Sequence, residues 1–98
     1  MKDYELSHEA RDDLQAIWMY IADDNLDSAD KLEADIYQAC QDLADDPKLG
    51  HKRRDLTDEP VLFYLVRDHY LVIYYRDKQP LKIARILHGA RDVSSQLD

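Results

Sequence analysis

The hydrophobic period of this chain changes once, near Pro47, and that change limits the folds open to it. Before it, apolar residues recur at spacings of three and four; after it, they come in runs of strand length. Ala10, Leu14, Ile17, Trp18 and Ile21 share one face of a 3.6-residue period, while Arg11, Asp12, Asp13, Gln15 and Asp23 take the other. Ser7 suits the N-cap of this helix, and Glu9 falls in the first turn, where the helix dipole favours negative charge. Asp24-Asn25 reads as a break. Asp27 or Ser28 then caps a second helix with Ala29, Leu32, Ile36, Cys40 (or Ala39) and Leu43 on its stripe. Pro47 disfavours helix in the residue before it, so this helix stops near Asp46. Residues 61–66, 70–75 and 81–87 are rich in Val, Ile, Leu, Phe and Tyr and are joined by brief connectors, which predicts an antiparallel meander. Residues 2–6 add a short first strand. The expectation is an α+β fold in the order β-α-α-β-β-β, an antiparallel sheet with an N-terminal helical hairpin on one face, all 98 residues in a single domain.

Composition narrows the function. No apolar run approaches the roughly 20 residues of a membrane span, and none resembles a secretory core, so a cytoplasmic chain without a membrane partner is expected. One cysteine permits no internal disulfide, and Cys40 lies on an apolar stripe as core filler. The net charge of −8 is uneven: residues 1–60 hold seven Lys and Arg against seventeen Asp and Glu, and residues 61–98 hold six against four. Such a chain is a poor general nucleic-acid binder, because neutralising phosphates takes clustered cations.

The residues able to carry chemistry gather late. The strand 81–87 holds Arg85 and runs into His88-Gly89-Ala90-Arg91-Asp92. Gly89 suits a corner with φ > 0, which would display His88 and Arg91 where the sheet ends. A ribonuclease would need groups to activate a 2′-hydroxyl, protonate the leaving oxygen and stabilise phosphorane charge. His88, Arg85 and Arg67 are the candidates, with Arg53 or Arg54 and, nearby, His51 and Lys52. Each has a plainer reading: Arg85 paired with a carboxylate, His88 bonded to backbone at a corner, and the Lys52-Arg53-Arg54 loop merely solvated. Scattered histidines and acidic pairs at helix ends suggest no metal site, and two glycines provide no phosphate loop, so no cofactor is expected.

Several local patterns, in order, resemble the ParE/RelE superfamily of type II toxin–antitoxin toxins. They are Tyr4-Glu5-Leu6-Ser7 with Ala10, Asp13-Leu14 and Ile17; Leu43-Ala44-Asp45-Asp46-Pro47 with Gly50; Tyr70-Leu71-Val72-Ile73-Tyr74-Tyr75; and Ile83 followed by Arg85-Ile86-Leu87-His88-Gly89-Ala90-Arg91-Asp92. The last is closest to the ParE branch. The resemblance implies a toxin neutralised by a cognate antitoxin, whose disordered C-terminal segment folds as it wraps the toxin and whose other half binds operator DNA. ParE-type members poison DNA gyrase; RelE-type members cut messenger RNA on the ribosome. The acidic balance, and a tail after Arg91 without Tyr, His or Lys, favour a gyrase inhibitor over a ribosome-dependent nuclease. The expected target contacts are Arg85, His88 and Arg91. The expected antitoxin contacts are Lys52, Arg53, Arg54 and Trp18. A non-toxic corepressor of its own operon is the remaining alternative.

Overall fold

A computed structural model describes residues 3–89. The order is β1 (Tyr4–Leu6), α1 (His8–Ala22), α2 (Leu26–Asp45), β2 (Leu62–Val66), β3 (Tyr70–Tyr75) and β4 (Leu81–His88). The expected α+β class and the meander are present: β2, β3 and β4 pair antiparallel. The sheet is mixed rather than wholly antiparallel, because β1 adds to β4 in parallel and gives the strand order β1-β4-β3-β2. The helical hairpin thus carries the chain from one edge of the sheet to the other. Parallel neighbours require such a crossover.

Ser7 caps α1, its hydroxyl accepting from the Ala10 N–H at 3.0 Å. The second cap is Asn25, not Asp27 or Ser28; its side chain accepts from the Ser28 N–H at 2.9 Å. The interhelical turn is tighter than the sequence suggests, so the helix begins at Leu26 and Asp27 falls in its first turn. At the other end Asp46 closes α2 just before Pro47.

The stripes of both helices pack on one sheet face. Ala10 and Leu14 meet Leu32, Ile36, Ala39, Cys40 and Leu43 over Leu62, Val66, Val72, Tyr74, Leu81, Ile83 and Ile86. Ala39 and Cys40 are both buried, so neither displaces the other from the stripe. The opposite face is not bare. Val61, Phe63, Leu71, Ile73 and Leu87 form a second buried cluster, against which Leu56 of the α2–β2 connector packs. Burial on both faces explains why β2 and β3 read as nearly continuous apolar runs rather than alternating ones.

Tyr74 ties the connector down. Its phenol donates to the Pro47 carbonyl at 2.7 Å and accepts from the Gly50 N–H at 2.9 Å. Gly50 is required there, since a Cβ would collide with the Tyr74 hydroxyl and ring. One residue on, His51 exchanges two backbone hydrogen bonds of 2.8 Å with Phe63 and covers part of the β2 edge.

Candidate functional site

Strand β4 positions most of the candidate residues. Its pairing with β3 shifts between Ile73 and Tyr74: Ile73 faces Arg85 but Tyr74 faces Ile83, so Ala84 bulges. The Ala84 carbonyl accepts from the Ser7 hydroxyl at 2.7 Å. Beyond Ile83 the three-residue β1 has ended, and side chains of α1 take over the edge of β4. Asp13 accepts from the Ile86 N–H at 3.0 Å and grips Arg85 through two bonds, Nε to Oδ2 at 2.7 Å and Nη2 to Oδ1 at 2.8 Å. The side chains are only 20% and 14% exposed, so water screens the pair poorly. The hydrogen bonds that Arg85 donates to Asp13 raise its pKa above the usual value despite partial desolvation, helped by the charges of Asp13 and Glu9. Arg85 therefore joins α1 to β4, as its plainer reading expects, whatever else it contacts.

His88 ends the strand. Its ring lies parallel to that of His69, with centroids 6.3 Å apart, and the Tyr70 ring meets it edge-on at 5.2 Å. The cause is register: Tyr70 pairs with His88, which brings the β2–β3 turn beside the end of β4. Arg67 and Asp68 in that three-residue turn have φ of 54° and 60°, and the His69 N–H donates to the Val66 carbonyl at 3.2 Å. Gly89 takes φ 55°, as the corner requires. His69, given no role from sequence, is thus a neighbour of His88. Only the register, which apolar patterning does not reveal for one pair, could have exposed it. Arg67 reaches across to α2, its Nε 2.6 Å from Asp35 Oδ2. Arg67 and Arg85, both put forward for a nuclease, are thus each held by a carboxylate on a different helix. Arg91 lies outside the described residues.

The proposed antitoxin contacts fall in two places. Trp18 is half-buried, donates from Nε1 to Asp30 Oδ1 at 2.9 Å, and lines a groove of about 170 Å³ with Leu6, Arg11, Leu14, Glu33 and Tyr37. Met19, Tyr20 and Leu26, at the hairpin tip, are exposed. Lys52, Arg53 and Arg54 are exposed too, but the loop is less basic than its four-residue run suggests. Arg53 is held by Asp55 at 3.0 and 2.9 Å, which raises the arginine's pKa and lowers the carboxyl's. Asp58 and Glu59 line the same concavity as Lys52, Arg53 and Arg54.

Other chemistry finds little support. Burial pushes the Cys40 thiol up to about 12, far from the range of a nucleophilic thiolate. Among the described residues no group of three or more His, Cys, Asp or Glu could hold a metal ion. No described helix is long and apolar enough to cross a membrane.

Comparison with known proteins fits this geometry. No individually curated protein matches the chain. A solved structure of the chromosomal ParDE TA system from P. aeruginosa superposes with a TM-score of 0.71 at 21% identity, covering 90% of this chain and 96% of that one. At that identity the likeness speaks to the fold alone. Residues 4–93 match the family described as the ParE toxin of type II toxin-antitoxin system, parDE, from β1 through the end of β4. On that match, the chain belongs to the ParE toxin family.

Proposed function

We propose that this chain is a toxin that inhibits DNA gyrase by direct binding in the cytoplasm and is neutralised by a cognate antitoxin. The observation that carries this reading is the family match over residues 4–93. The antitoxin's C-terminal segment would lie along the Trp18 groove and the Lys52–Arg54 loop, and operator DNA would be reached only through the antitoxin. Arg85, His88, Arg91 and the residues after Gly89 form the proposed target surface. Two features support a binding role over catalysis: the net charge of −8, which repels RNA, and the engagement of Arg67 and Arg85 by helix carboxylates.

Expression of the chain alone in bacteria, with pulse labelling, tests this. Early loss of DNA synthesis, together with inhibition of gyrase supercoiling by purified chain, is the expected result. Immediate loss of protein synthesis, abolished by Ala at both Arg85 and His88, would replace it with a ribosome-dependent nuclease. No arrest at all would leave a corepressor.

A further inference from the structure

The start of β4, its loop from β3 and the first residues of α1 surround a concavity of about 630 Å³. Its lining includes His8, Tyr75, Lys78 and Lys82, with Glu9 as the carboxylate. Tyr75 and Lys82 are direct cross-strand partners. The Lys78 ammonium sits 6.0 Å from the centre of the Tyr75 ring. Lys31, Arg53, Arg67 and Arg85 each face an aspartate elsewhere on the molecule. Lys78 and Lys82 form no ion pair among the described residues, and both open onto one cavity. The first turn of α1 is not what makes this place unusual, since the Ser7 hydroxyl already serves it.

We propose that this concavity binds a phosphorylated ligand of nucleotide size. Two lysines lining one cavity match the two charges of a phosphate. The Tyr75 ring offers a face for a base, and Glu9 can accept from a ribose hydroxyl. The volume falls within the roughly 300–1,000 Å³ of small-molecule sites. Charge sets the ligand's size. A long polyanion meets the repulsion of the whole acidic chain, whereas a single phosphate responds to charges within a screening length of about 8–10 Å. An acidic peptide spreads single charges along its backbone and wants an adjoining apolar groove. The aliphatic lining here is Ala84. The site shares no residue with those named for the proposed target and antitoxin surfaces, and it does not depend on them.

The test is an amide NMR titration of the full chain with AMP, with inorganic pyrophosphate and with hexaglutamate. Shifts at His8, Tyr75, Lys78 and Lys82 are expected with both phosphate probes, with AMP binding at about 1 mM or tighter. Tighter binding of AMP than of pyrophosphate assigns the site to a nucleotide; equal binding assigns it to free phosphate. Joint replacement Lys78→Ala and Lys82→Ala should weaken both by about tenfold or more at an unchanged melting temperature. Lys78→Gln at its exposed position serves if the double variant is unstable. Tyr75→Leu should weaken AMP and spare pyrophosphate. No shift with either phosphate probe at about 10 mM, or unchanged binding in the lysine variants, overturns the proposal. Equal shifts with hexaglutamate would also overturn it, in favour of an acidic peptide.

Discussion

The two edges of the sheet are closed by different means. Along β4, past the short β1, the edge is finished by side chains of α1: Ser7 at Ala84, Asp13 at Ile86, and Arg85 neutralising Asp13. Along β2, among the described residues, the edge is covered by backbone at the His51–Phe63 bridge. Strand alternation puts the N–H and C=O of Leu65 on that same outer side, and the Leu65 side chain is 50% exposed. The first edge is bound into the core by ion pair and hydrogen bond. The second is left to a connector. Unpaired strand edges invite other chains, so the contrast marks β2 as the accessible side and β4 as the locked one.

The largest expected effect comes from unlocking β4. Asp13→Ala removes the carboxylate from a mostly buried ion pair and the acceptor of the Ile86 N–H, and should cost about 3 kcal/mol in urea unfolding. Asp13→Asn keeps an acceptor for Ile86 and should cost less. A loss below about 1 kcal/mol for the alanine variant would mean that the edge is not held this way. Next is Gly50→Ala, which forces the connector away from Tyr74 and loosens His51 from the β2 edge. About 2 kcal/mol is expected, with faster amide exchange at Phe63 than at Ile86. Equal acceleration at both amides would show that the edges open together.

A pH series sharpens the picture on the locked side, where burial and, second to it, the neighbouring Cys40 raise the pKa of Tyr4 of β1. In the unfolded chain the thiol titrates near 9, but in the fold burial holds the proton to about 12. The folded form therefore binds more protons between those values. Its stability is full below pH 9 and falls as pH rises, by about 1 kcal/mol at pH 10. Cys40→Ala should flatten that part of the profile. An unchanged slope would mean that the space between α2 and β1 admits water.

What could be read from sequence was periodic. The α1 stripe, the α2 stripe and the strand runs followed from spacing alone, since burial imposes that spacing locally. What could not be read was joined at long range. Asp13 and Arg85 are 72 residues apart; Arg85 stands out on an apolar strand, but Asp13 does not differ locally from a solvated charge. The three residues of β1 carry no signal of direction, so its parallel pairing depends on where the crossover sets it down. The cap of α2 moved to Asn25 because Asn, Asp and Ser all compete as caps within four residues. At the candidate site Arg85 and His88 could be named from sequence. The helix carboxylate holding one and the His69 ring beside the other could not.

The smallest expected effect lies on the open edge. Leu65→Lys adds a charge at a half-exposed position whose outer backbone groups have no strand beside them among the described residues. The folded state loses little apolar contact there, so stability should change by less than about 0.5 kcal/mol. A lysine on an edge strand also discourages pairing with another chain, so any self-association seen by sedimentation should decrease. A loss above about 1 kcal/mol would place Leu65 under a covering contact, and the β2 edge would then be locked as firmly as β4.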